Sequence, residues 1–395
     1  MSIHNYKFIV VGAGFAGAVL AERIANEKNE KVLMIEQKSH IGGHCYDYRN
    51  KQGILIHKFG PHIFHTNNRD VWEYISRFTD WYYYQHRVIG FVDGLMVPIP
   101  FNLNSLYTIF PPSYASILEQ KLISRYGFGN RLHILELQES KDHDLEHLYR
   151  HIYEKIFFHY TTKQWGGLQP EELDKSVTAR VPVVISRDNR YFYDRYQGIP
   201  AEGYSNVFQS MLKNKKIRVL LNTHEKKLIH IENDTIYVDD KEYSGTLFYT
   251  GKVDELFSYR HGELPYRSLR FKYRDIPLEH YQENAIINYP TNYDFTRIAE
   301  YKYFEQFCQK QNITTIGIEY PEEYEKEKND PYYIVPKTDN ITKYELYLSQ
   351  AKRIKNLILL GRLAEYKYYN MDEVIKRSLD CFSSLHENPR SLKQR

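Results

Sequence analysis

The chain opens on an apolar stretch, Lys7 to Val11, too short and too β-branched for a helix, and it reads as a buried strand. Gly12 to Gly17 interrupt it as a glycine turn, Ala18 to Asn26 continue with helical spacing, and Lys31 to Glu36 form a second strand. That order is a complete βαβ opening. From about Val71 to Tyr160 the period lengthens, with aliphatic and aromatic residues recurring helically through Tyr107–Tyr126 and Leu145–His159, which predicts a helical insertion. Val177 to Tyr196 and Leu264 to Tyr333 are rich in aromatic and β-branched residues with Pro breaks and predict antiparallel strands. Strand signals at Ile217–Leu221, Ile236–Val238, Thr246–Thr250 and Leu357–Leu360, then a closing helix from Met371, predict a return to the first sheet. The expected fold class is α/β, a Rossmann-like cofactor domain with a helical insertion and a second, antiparallel β-sheet domain. The cofactor domain is discontinuous, 1–75 with about 200–263 and 345–395; the helical domain is 76–165; the sheet domain is 166–199 with 264–344.

Composition narrows the class. At 395 residues the chain is longer than one core usually serves, and 42% hydrophobic residues are enough to build more than one. Lys and Arg number 53 against 50 acids, so the net charge of +3 argues against a nucleic-acid surface and makes any anion site local. Cys45, Cys308 and Cys381 are odd in number and far apart, which excludes a disulfide framework and points to a reducing, cytoplasmic setting. The apolar start from Phe8 to Leu20 is short and glycine-interrupted, unlike a signal peptide, and no window reaches about 18 apolar residues. Tyrosine, at 37 residues, is the unusual abundance, and it supplies hydrogen-bond donors without charge.

The candidate chemistry begins at Gly12-Ala13-Gly14-Phe15-Ala16-Gly17. Following a strand and opening a helix, this is a dinucleotide fingerprint: Gly12 makes the turn, Gly14 admits the pyrophosphate, and Gly17 lets helix and strand pack closely. The helix N-terminus at Phe15 and Ala16 offers amides and partial positive charge. Glu36 ends the second strand, where a carboxylate accepts from ribose hydroxyls, with Gln37 beside it. Gly42-Gly43, followed by His44, adds a second close approach of backbone to ligand. The combination resembles the glycine signature of the FAD-binding family that includes amine oxidases and phytoene desaturases. Arg362, after the strand end Leu359-Leu360-Gly361, is placed to bring a guanidinium to the flavin. His62 and His65 have no adjacent carboxylate or cysteine in sequence, so no metal site is expected.

Four further segments narrow the resemblance. Phe59-Gly60-Pro61-His62-Ile63-Phe64-His65-Thr66, Lys163-Gln164-Trp165-Gly166, Arg195-Tyr196-Gln197-Gly198-Ile199-Pro200 and Gly361 through Tyr369 closely resemble, in order and across nearly the whole chain, the UDP-galactopyranose mutases. The resemblance implies a redox-neutral isomerase that interconverts UDP-galactopyranose and UDP-galactofuranose through a covalent adduct on reduced FAD, serving galactofuranose-containing surface polysaccharides, and acting as a homodimer. It assigns Arg180 and Arg297 to the diphosphate, Tyr160, Tyr333 and Tyr368 to phosphate hydrogen bonds, Tyr191 to stacking on uracil, and Trp165 to the sugar side. It sets His62, Tyr369 and Met371 against the flavin. Two positions depart from the family: Asn370 stands where Asp is common, removing a charge near the phosphates, and His44 stands where Asn is usual. A UDP-N-acetylgalactosamine mutase, and an FAD-dependent oxidoreductase of the amine oxidase or desaturase type, stay open as alternatives.

Overall fold

A computed structural model describes residues 3–172, 182–291, 293–306 and 312–387. Its first layer is a five-stranded parallel sheet in the order Ile217–Leu220, Val32–Ile35, Phe8–Val11, Thr246–Tyr249, Leu357–Leu359. The central strands Phe8–Val11 and Val32–Ile35 are buried at every residue, as a parallel sheet covered on both faces requires. Helix Phe15–Glu27 crosses between them, and helix Met371–Glu387 packs along it. The expected strands at Ile217, Thr246 and Leu357 therefore all return to the first sheet. The signal at Ile236–Val238 instead falls in a small antiparallel sheet, Ile229–Glu232, Thr235–Val238 and Lys241–Glu242, whose Ile236 and Val238 share a core with Ile9 and Leu33.

The second layer is a seven-stranded, largely antiparallel sheet in the order Tyr333–Ile334, Tyr266–Ile276, Thr314–Glu323, Arg297–Glu300, Ile286–Asn288, Val88–Val92, Leu95–Ile99. Its last two strands correct the helical reading of 76–165. They form a hairpin around Asp93-Gly94, both at positive φ (+49° and +85°), the pair that a two-residue turn favours. After the short helix Arg69–Ile75, helix resumes only at Leu103–Ile109, capped by Asn102, and continues through Pro112–Tyr126, Ile134–Gln138 and His143–Ile152. A π-helical stretch, Tyr153–Phe158, then leads into His159–Gln164. Such stretches insert one residue per turn, recur at functional sites, and here precede Tyr160.

The expected strands over Val177–Tyr196 are also corrected. Among the described residues, Val183–Val184 pairs with Arg131–Leu132, with a single further bridge from Val184 to Asn102, and Tyr196–Pro200 pairs with Phe64–Thr66 and Trp81–Tyr82 rather than joining the large sheet. The reason lies in the polar run Ser186-Arg187-Asp188-Asn189-Arg190, whose side chains bond within the loop and to Asn104 and Glu119.

Candidate active site

The glycine turn is built on close backbone contact. A Cβ on Gly17 would lie 2.1 Å from Gly12 O, so no other residue lets the helix sit this close to the strand. Gly43, at a φ of +55°, packs on Gly14: a Cβ there would lie 3.1 Å from Gly14 Cα. Gly42 N–H donates to Ala13 O at 2.8 Å, joining the doublet to the turn. Gly14 caps helix Phe15–Glu27 with no side-chain acceptor, which leaves its first amides to a ligand. The Phe15 ring is core, against Phe208 and Tyr204, and Ala16 is buried, so both serve the cradle through backbone.

Glu36 is buried at the strand end. Its Oε2 accepts from Ala13 N–H and its Oε1 from Lys38 N–H, both at 2.8 Å. Burial pushes its carboxyl upward, against the pull of those two amides. Gln37 beside it is exposed.

A cavity of about 340 Å³ opens beside the cradle between the two layers and the helical lobe. It gathers His44, His62, Arg362, Asn370 and Met371 with Tyr160, Trp165, Tyr191, Arg297, Tyr333 and Tyr368. Tyr369 is not among its walls but orients one of them, because Arg362 Nη2 donates to its carbonyl at 2.6 Å. Arg180 lies outside the described residues.

Arg297 and Glu319 face each other on neighbouring strands, and Arg297 Nε donates to Glu319 Oε2 at 2.8 Å. Burial opposes the charge on Arg297, but Glu319, Tyr160 and Tyr333 outweigh it and hold the guanidinium firmly protonated. Among the described residues its two terminal nitrogens have no hydrogen-bond partner, so the fork is free for an anion. Tyr160 and Tyr333 are pushed upward by burial, which keeps both phenols protonated as donors. Trp165, Tyr333 and Tyr368 run as a ladder of rings, 5.9 Å and then 6.1 Å apart, and the Arg362 guanidinium caps it 4.5 Å over Tyr368.

Two imidazoles of the cavity wall are uncharged. His62 is lowered to about 3 by burial, with His57 adding to the effect. Its Nδ1 lies 2.7 Å from the Gly60 carbonyl, so Nδ1 carries the proton and Nε2 keeps its lone pair. The His62 backbone N–H donates to His57 Nδ1 at 3.0 Å, which pins the segment. His44 lies flat on Tyr332 at 4.5 Å and is held well below its ordinary value by burial, then by Lys38 and Arg362.

Several wall residues escaped the sequence. Glu319 is one, although an acid inside the buried run Thr314–Glu319 was a usable signal. His86 and Asn288 are others, while His65 and Gln164 stood in quoted motifs without an assigned role; among the described residues the Gln164 Oε1 and Asn288 Oδ1 atoms are buried without a partner.

A glycine cradle on a parallel sheet, facing a tyrosine-lined cavity with a free guanidinium fork, defines a flavoprotein-type Rossmann enzyme that handles an anionic substrate. The NAD(P)-binding Rossmann-like domain model matches residues 10–78, and the UDP-galactopyranose mutase model matches residues 155–368. The chain is 34% identical to a UDP-galactopyranose mutase of Mycoplasma genitalium, covering 96% of this chain and 94% of that one. It is 32% identical to a dTDP-fucopyranose mutase of Escherichia coli, covering 95% and 97%. Its fold matches the crystal structure of reduced UDP-galactopyranose mutase with a TM-score of 0.71 at 15% identity, over 98% of both chains. The chain belongs to the UDP-galactopyranose mutase family, a family of isomerases.

Proposed function

We propose that the protein interconverts UDP-galactopyranose and UDP-galactofuranose with FAD held in reduced form, in the cytoplasm and as a homodimer, supplying galactofuranose for surface polysaccharide. The observation that carries the reading is the unfilled fork of Arg297 among Tyr160, Tyr333 and Tyr368. A diphosphate there meets a fixed positive charge and neutral donors, the set that stabilises a departing UDP. Arg180 would bring the second guanidinium.

FAD fits the cradle. The uncapped helix amides suit its diphosphate, the Gly14–Gly43 contact leaves backbone at the surface where phosphates lie, and Glu36 stands at the ribose position. Reduced FAD supplies a nucleophilic nitrogen to the anomeric carbon, so the protein needs no nucleophilic side chain of its own. Arg362 adds a positive charge on that side, His62 offers an uncharged lone pair at Nε2, and the Trp165–Tyr333–Tyr368 ladder keeps water from the sugar. Tyr191 would stack on the uracil, and Asn370 would contact phosphate without the charge of the family's Asp. Residues 1–75, about 200–263 and 345–395 would act together as the FAD-holding unit.

Dithionite-reduced, FAD-loaded protein given UDP-galactofuranose should release UDP-galactopyranose. UDP-N-acetylgalactosamine and dTDP-fucose run alongside read the sugar and base preference. No ring conversion of any of the three would sink the proposal, and oxygen consumption without added reductant would favour an oxidase instead.

A further inference from the structure

His65 has no task in the reading above. It sits on strand Phe64–Thr66 between two fully buried neighbours, so alternation turns it to the opposite side, where it lines the cavity. Its Nδ1 lies 3.0 Å from Asp194 Oδ2, while Asp194 Oδ1 accepts from Asn67 Nδ2 at 2.8 Å. The imidazole rests flat on Phe192, with centroids 3.7 Å apart and planes 14° apart. The loop that carries Asp194 and Phe192 is stapled by Gln197, whose Nε2 donates to the carbonyls of both. A carboxylate only accepts, so Nδ1 carries a proton whatever the charge of the ring. Nε2 has no partner among the described residues.

Contraction of a six-membered to a five-membered sugar ring moves a proton. The C1–O5 bond breaks, its electron pair leaves with O5, and O5 takes a proton. The C1–O4 bond forms with a pair from O4, and O4 gives its proton up. No oxidant or reductant enters, and one proton passes from O4 to O5 overall. Most cavity groups are unsuited to lend and recover it near neutrality. Tyr160 and Tyr333 are held protonated, and His62 and His86, each lowered to about 3 by burial, stay neutral. His65 differs from those imidazoles in its geometry: it faces a carboxylate, with Nδ1 3.0 Å from Asp194 Oδ2, and turns Nε2 away from that partner.

Resting on the mutase reading, we propose that His65, oriented and charge-balanced by Asp194, gives the proton to O5 as the six-membered ring opens and takes it back from O4 as the five-membered ring closes. Asp194 acts as a positioning residue. The same imidazole serves the reverse direction by exchanging the two oxygens.

The test separates departure of UDP from ring contraction. With UDP-galactose carrying ¹⁸O at the anomeric bridge, scrambling of label into the non-bridging β-phosphate oxygens reports cleavage and re-formation of the C1–O bond alone. In FAD-loaded, reduced H65Q, scrambling and UDP affinity should persist while ring conversion falls about 10² to 10⁴-fold. D194N keeps an acceptor for Nδ1–H and so guards against misfolding; it should show the same split with a smaller loss. Scrambling and conversion falling together, or conversion unchanged, would overturn the assignment. Wild-type protein that neither scrambles nor converts would instead overturn the mutase reading itself, and the assignment with it.

Discussion

Arg297 and Glu319 meet side by side on antiparallel strands, and the carboxylate takes only the Nε of the guanidinium. One end of Arg297 is thereby fixed while the other stays open, which is how a cation is presented to a ligand without being spent on the protein. Replacing Arg297 by Ala in FAD-loaded protein should cut turnover by about 10² to 10³-fold with the flavin retained. Arg180→Ala should behave alike. Visible absorbance after gel filtration checks the flavin, and its loss from either variant would move that arginine to the cofactor site.

Glu319→Ala removes the counter-charge instead. Glu319 is 2% exposed, whereas Arg297 opens onto the cavity. The expected destabilisation is about 2 to 3 kcal/mol, below the full figure for a broken buried pair because cavity water reaches the cation. Urea unfolding of the FAD-loaded variant against wild type measures it.

The tyrosines lend themselves to single-atom tests. Tyr160→Phe and Tyr333→Phe keep the rings and delete one donor each, so UDP should bind about tenfold more weakly to either, a loss of roughly 1.4 kcal/mol. Calorimetric titration with UDP reads this without turnover, and unchanged affinity would place the hydroxyls elsewhere.

Gly17→Ala should abolish cofactor loading or folding, since the new methyl would enter the Gly12 carbonyl. Gly43→Ala meets Gly14 at 3.1 Å and positive φ, a strain of about 1 to 2 kcal/mol. That variant should fold and hold flavin less tightly, as fluorescence of released FAD would show.

Acid should unfold the protein early. His57, His62 and His86 are each lowered to about 3 by burial, so between pH 6.5 and 3 the unfolded chain binds protons that the folded chain refuses. Stability is full above pH 6.5 and falls as pH drops through that window, by about 1.4 kcal/mol per pH unit for each histidine. Urea midpoints at pH 7.5, 6.5 and 5.5 should decline; a flat profile would show that these histidines charge freely in the folded state.

What could be read in advance was local. The cradle is written in contiguous glycines, and the strand at Leu357 announces itself by its apolar run. The hairpin at Val88–Ile99 was hidden because ten residues of alternation sit ahead of a long helical pattern, although Asp93-Gly94 marked the turn. Glu319 gains meaning only when two strands align it with Arg297, and His65 joins Asp194 across 129 residues of chain. Pairings of that kind belong to topology, and no period along the sequence encodes them. The family resemblance reached many walls of the cavity but not the carboxylates that hold Arg297 and His65.

Helix Met371–Glu387 lies along helix Phe15–Glu27, so an early cradle element is covered by one that follows it at long sequence separation. At the usual pace of synthesis the apolar flank of the earlier helix waits roughly 20 to 70 s for its cover. The edge strand Leu357–Leu359 arrives equally late. Closure of the glycine cradle therefore waits on chain made long after the turn itself, and until then the flank of the early helix stays open to water.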